Sequence, residues 1–392
     1  MESKNDLQIV IIQAPPLITN NDSNNNNNNN TNNNNGGILS YYYYKHFVGI
    51  ILPNLHAGYF RISLSLCAQI LLWKTLIQFT KQNDLYYHHK LINPMFLTLP
   101  TLASTLLWSI ALVVFLSLSL VYGLRCLHHF DEVKAEFLDD VGVNYLFAPS
   151  MSCLFLLQTS PFYLPVEGVI YLQVACSVFI IPIIMLDIKI YGQWFTKGKR
   201  FLSKMANPTC QLSVIANLVA AKAAIYMGWT EVGLCLFTLG MAHYLVLFVT
   251  LYQRLPGSNG LSLMLRPVFF LFIATPSMAS LAWKSINGTF DNASKMLFFL
   301  SVFLFLSLVC RPSLFRKSMK KFNIAWWAYS FPLSLLALAS IEYAQAVNND
   351  VASTIAFILS VLSILVSLSL MILTSININT FFLDTKPPSN LI

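Results

Sequence analysis

The sequence runs to 392 residues, of which 56% are hydrophobic and only 10% charged, against roughly 25% charge in an ordinary soluble domain. A water-soluble globular fold is therefore excluded, and the composition is that of an all-α integral membrane protein. The net charge of +8 is distributed over alternate loops and not along one basic face, which speaks for membrane topology and against nucleic acid as a partner.

In chain order, residues 1–50 come first as a polar tail, "NNDSNNNNNNNTNNNN" followed by Gly36-Gly37. It holds too little apolar surface to fold and is expected to be disordered and cytosolic. No basic segment with a short apolar stretch and cleavage site precedes the first long apolar run, so that run is expected to act as the insertion signal. A membrane domain is predicted over 51–378 and a short cytosolic tail over 379–392.

Within the membrane domain, ten runs have the length of a bilayer crossing, about 20 residues. They are Ala57 to Phe79, Thr101 to Leu124, Val143 to Thr159, Val166 to Ile190, Leu212 to Met227, Glu231 to Tyr252, Pro267 to Trp283, Lys295 to Cys310, Ile324 to Tyr343 and Val351 to Leu373. The loops "TKGKRFLSK" and "RPSLFRKSMKK" carry the densest positive charge and are predicted to face the cytosol. Ten spans then put both termini inside and the sequons at Asn287 and Asn292 outside.

Proline marks the odd spans: Pro149 in "FAPS", Pro208 in "ANPT", Pro276 in "ATPS" and Pro332 in "SFPL"; among the even spans only the fourth has one within it, Pro182. A proline inside a helix frees a carbonyl, which in a membrane needs protein or a water-filled cavity around it. Short, proline-marked, Ser/Ala/Asn-rich spans alternating with longer greasy ones predict five helical hairpins around a central pore, odd helices inside and even helices against lipid. All four prolines are expected to kink pore-lining helices.

Seven scattered cysteines, with His88-His89 and His128-His129 at a loop and a span end, give no metal-ligand spacing. No metal, cofactor or catalytic constellation is predicted. Five ionisable groups lie in or near spans: Arg61, Asp187, Lys189, Lys222 and Glu342. Asp187 and Lys189 read as structural anchors and Glu342 as a solvated residue at the outer end. Arg61 and Lys222, on inner spans, either face the pore and attract anions or snorkel to the interface.

The segments "FRISLSLCAQILLW", "VNYLFAPS", "DIKIYGQWFTKGKR", "GMAHYLVLFVTLYQRLP", "ATPSMASLAW" and "FNIAWWAYSFPL" resemble those of the plant slow-type (S-type) anion channels. The resemblance extends distantly to bacterial tellurite-resistance and dicarboxylate transporters. It implies a trimer with one pore per subunit, located in the plasma membrane, conducting chloride and nitrate. It also implies a pore plug at Phe331 and a second pore phenylalanine at Phe155; spacing alone would make Phe331 ordinary packing.

The odd spans offer no carboxylate ring and no glycine-rich carbonyl filter, which agrees with a weakly binding anion pore. Family resemblance also implies a longer-tailed paralogue as partner in mixed trimers and a regulatory kinase, although Ser3, Ser23 and Ser40 lack an Arg-x-x-Ser context. Two further readings stay open: an electrically silent modulatory subunit, and a secondary transporter of organic anions such as malate.

Overall fold

A computed structural model of the chain describes residue 49 and residues 52–86, 94–161, 168–196, 206–254, 263–316, 318–320 and 322–377. Apart from residue 49, the expected tails lie outside the described residues, as do His88-His89 and the loop cations Lys197, Lys199, Arg200 and Lys204. Among the described residues every regular element is helical.

The span helices run Phe60–Tyr86, Pro94–His128, Phe147–Thr159, Gly168–Thr196, Gln211–Tyr226, Thr230–Arg254, Leu271–Asn287, Asn292–Val309, Trp327–Val347 and Asp350–Ile376; they are called spans 1 to 10. Among the described residues, nine helices are long and apolar enough to cross a membrane by themselves. Span 3 reaches that length only with what precedes it, the helix Phe130–Leu138, from which it is bent by 100°.

Burial sorts the spans as their polarity suggests. The most apolar 18-residue stretch is mostly buried in the odd spans, 56% in the first, 83% in the fifth, 78% in the seventh and 94% in the ninth, whereas in the even spans it reaches only 39% in the fourth and falls to 6% in the second. Leu, Ile, Val and Phe on the even helices, such as Leu120, Ile188, Phe303 and Phe357, are exposed, as suits helices surrounded by lipid. The odd helices bury Ser and Ala instead, small residues that let helices approach closely where hydrophobic contrast with the solvent is lost.

Local chemistry builds the same beginning into three odd spans. Asn207 accepts a hydrogen bond from the Thr209 amide and Asn323 from the Ala325 amide, each opening a short 3-10 turn that runs into the helix. In span 1 the cap is His56, whose Nδ1 accepts from the Gly58 amide. These side chains satisfy amides that a helix start leaves orphaned.

Three odd spans end alike as well. Span 7 closes on Gly288 and span 9 on Asn348, both left-handed, and Gly228, at φ +82°, follows span 5. Such residues terminate a helix and turn the chain. The next helix starts immediately: Asp291 caps span 8 by accepting from the Ser294 amide, and Asn349 caps span 10. The Ser294 amide and the Trp283 indole hold the Asp291 carboxyl below its ordinary range. Span 6 lies close on span 5, since a Cβ at Gly240 would come within 3.2 Å of the Asn217 Cβ.

Two of the four expected kinks are helix starts instead. Pro149 is the third residue of span 3, and Pro208 opens the 3-10 turn before span 5. Neither position requires an intrahelical amide, so proline there costs no hydrogen bond. Pro276 and Pro332 do lie inside their helices. They leave the Phe272 and Ala328 carbonyls without the usual amide partner.

Candidate functional site

Phe331 immediately precedes the interior proline of span 9, and Phe155 lies within span 3. Both side chains are buried, at 2% and 0% exposure. The rings meet edge to face, with centroids 6.4 Å apart and planes inclined by 62°. Two residues far apart in sequence thus face each other across the interior of the helical bundle.

Around them the inner helices are joined by uncharged polar groups. Ser63 of span 1 donates to the Ser152 hydroxyl of span 3 at 2.8 Å, and Ser65 to the Trp327 carbonyl of span 9 at 3.2 Å. Gln69 reaches Ser334 of span 9 at 2.9 Å and the Ser363 hydroxyl of span 10 at 2.7 Å. Thr275 of span 7 donates to Gln211 of span 5 at 2.8 Å. Near Pro276, the Ile273 carbonyl accepts hydroxyls from both Ser277 and Ser301. The interior is therefore polar enough to hold irregular backbone, while its hydrogen-bonding groups are largely committed to one another.

Arg61 and Lys222 are not brought together. Arg61 is buried in the first turn of span 1, its Nε donating to the Gly58 carbonyl at 2.9 Å and its guanidinium 4.4 Å above the Tyr145 ring. Its Nη1 is buried without a hydrogen-bond partner among the described residues. Close by, Glu136 accepts the Ala57 amide at 2.6 Å and Arg125 at 2.5 Å. Burial, with the charges of Arg61 and Arg125, pushes the His56 imidazole down to about 3, so it serves as a neutral acceptor.

Lys222 lies towards the other end of span 5, in the company of Lys284 and Glu342. Glu342, expected to be solvated, is ion-paired with Lys284 of span 7. Each partner comes from a different inner span, so neither had a sequence neighbour to betray the pairing. Lys189 donates to the Phe137 carbonyl and lies 3.4 Å from the centre of that ring, tying span 4 to the helix Phe130–Leu138. Asp187 is buried with the Asn217 side chain as its polar neighbour, and among the described residues neither carboxylate oxygen has a partner within 3.5 Å.

On the described side chains of the odd spans, Arg61, Lys74, Lys222 and Lys284 stand against the single carboxylate of Glu342. These inner helices therefore carry excess positive charge on their described side chains, and Phe331 and Phe155 place two apolar rings among them. Glu136 and the capping asparagines were missed by sequence reading. Asn207 and Asn323 had a detectable signal: each lies four residues before the first residue of its span.

A family model described as "SLAC1: Voltage-dependent anion channel" matches residues 54–375. S-type anion channel SLAH1 of Arabidopsis thaliana is 58% identical over 328 residues, covering 84% of this chain and 83% of that protein. The guard cell S-type anion channel SLAC1 of the same plant is 40% identical over 335 residues, 85% of this chain and 57% of that protein. A tellurite resistance protein TehA homolog of Haemophilus influenzae is 25% identical over 321 residues, 80% of this chain and 89% of that protein.

Proposed function

The chain belongs to the SLAC1 family of voltage-dependent anion channels, and from that premise we propose that it is a slow, weakly voltage-dependent channel for chloride and nitrate in the plasma membrane. The family and its plant relatives are anion channels and not enzymes. In this reading the membrane domain, residues 51–378, carries five hairpins around its own pore and three such subunits assemble, with both termini cytosolic.

The observation that carries the proposal is the edge-to-face contact of Phe331 with Phe155 inside a bundle whose inner helices are net positive. A flat uncharged ring is a plug that neither attracts cations nor holds an anion tightly, and a constriction of that kind opens by rotation of one side chain. Pro332 supports the role, because the missing bond at the Ala328 carbonyl loosens the turn that carries Phe331. An edge-to-face pair is worth only about 0.5–1.5 kcal/mol beyond its buried area, which is little enough for thermal opening. The positive inner charges raise the local concentration of anions, and an uncharged constriction favours those that shed water easily.

Voltage clamp in oocytes tests the reading, with wild type and Phe331→Ala each expressed alone and beside a longer-tailed paralogue. A chloride or nitrate current in Phe331→Ala alone is the expected result. Silence alone with altered currents beside the paralogue would mark a modulatory subunit, and silence in every combination despite surface expression would return the organic-anion carrier to first place.

A further inference from the structure

We propose that Lys222 forms a loose binding site for a permeant inorganic anion at one mouth of the pathway, with the Lys284–Glu342 ion pair as its flank. This rests on the channel reading above and adds to it a site and a specificity-determining charge.

Three inner spans meet there. Span 5 packs on span 7, and span 7 on span 9, so the ends of these helices bring Lys222, Lys284 and Glu342 into one neighbourhood. At a rise of 1.5 Å per residue, the three stand roughly 16–23 Å beyond the starts of their spans. Lys74 of span 1 stands at the corresponding height and donates to the Gln158 carbonyl of span 3 at 3.1 Å. In the proposed orientation this is the extracellular end.

The three charges do not cancel. Glu342 is ion-paired with Lys284, their side chains 17% and 33% exposed, so that pair is close to neutral as seen from outside. Lys222 makes no hydrogen bond or ion pair with any described residue, although the charges of Glu342 and Lys284 both act on it. An ammonium left without a close counter-ion at membrane depth is costly, and a mobile anion beside it relieves the cost.

Ammonium is a compact point charge with three donors and no fork geometry. It therefore suits chloride or one oxygen of nitrate and gives no bidentate grip on a dicarboxylate. Residual access to water at the neighbouring pair keeps the site shallow, as conduction requires: favourable enough to enter and weak enough to leave.

The test uses the Phe331→Ala background, recording outward current, which is anion entry, against external chloride and nitrate concentration. Lys222→Met is expected to raise the half-saturating concentration about tenfold while leaving the maximal current, the order of effect of one nearby unit charge. Glu342→Gln, which releases Lys284, should lower it several-fold. Lys222→Cys should behave as Lys222→Met until a cationic trimethylammonium thiol reagent is added outside; an anionic sulfonate reagent should not restore it. Lys222→Arg serves as the charge-preserving control for folding. An unchanged concentration dependence in Lys222→Met, or a Lys222→Cys channel indifferent to the sign of the reagent, would overturn the site and leave the channel reading standing. Absence of current in the Phe331→Ala parent itself, at normal surface level, would remove both.

Discussion

The rings of Phe155 and Phe331, 176 residues apart in sequence, meet edge to face with centroids 6.4 Å apart in the interior of the bundle. If the pair is the closed gate, truncating either side chain shifts the balance towards open. Phe331→Ala should give a large constitutive current and Phe155→Ala a smaller one, because Phe331 sits on the loosened turn before Pro332. A double-mutant cycle on the open-to-closed ratio should show coupling of about 0.5–1.5 kcal/mol, roughly a 2- to 12-fold departure from additivity. Strict additivity would mean that the rings touch without acting as one barrier.

Gln69 holds three helices together. Its amide donates to Ser334 of span 9 at 2.9 Å and to the hydroxyl and carbonyl of Ser363 in span 10, at 2.7 and 3.1 Å. Interhelical hydrogen bonds in membranes average about 0.6 kcal/mol each, with about 1.7 the upper end. Gln69→Leu should accordingly cost about 1–2 kcal/mol. Thermal unfolding of the purified protein in detergent would read this as a lowered midpoint, and an unchanged midpoint would show these bonds to be replaceable.

The frame of the molecule was legible because membrane insertion writes itself into sequence. Ten apolar runs matched the span helices to within a few residues at most ends, and the Ser/Ala-rich odd runs are the buried ones. Local reading failed where partners are remote. Glu342 gave no hint of Lys284, nor Phe155 of Phe331, although a resemblance singled out both phenylalanines. Proline was over-read: its identity predicts a lost hydrogen bond only inside a helix, and Pro149 and Pro208 lie at starts.

Glu136 closes the start of span 1 from outside it. One carboxylate oxygen accepts the Ala57 amide and the other accepts Arg125, in a pair whose side chains are only 6% and 8% exposed. Removing one member of a buried pair strands the other charge, at about 3–5 kcal/mol. Glu136→Ala should therefore abolish accumulation at the cell surface, whereas Glu136→Gln, which retains an acceptor for Ala57, should be partly retained. Equal surface levels for both variants and wild type would show Arg125 to be satisfied by the nearby Glu132, 3.8 Å away.

His56 caps span 1 in the way that Asn207 and Asn323 cap spans 5 and 9, but unlike them it can take up a proton. Burial, helped by Arg61 and Arg125, lowers its pKa from 6.5 to about 3. The folded protein therefore binds fewer protons than the unfolded chain between these values. Stability from this residue is complete above about pH 6.5 and falls as the pH drops towards 3, by at most about 1.4 kcal/mol per unit for one proton. Protonation would also remove the Nδ1 lone pair that accepts the Gly58 amide. Asparagine supplies the same acceptor without a titration. His56→Asn should thus match wild type at pH 7.5 and exceed it at pH 5 by up to about 2 kcal/mol. Thermal unfolding of both proteins at the two pH values measures the difference directly. A variant as acid-sensitive as wild type over that interval would place the acid-labile group elsewhere, and leave His56 as a cap whose proton affinity the fold does not alter.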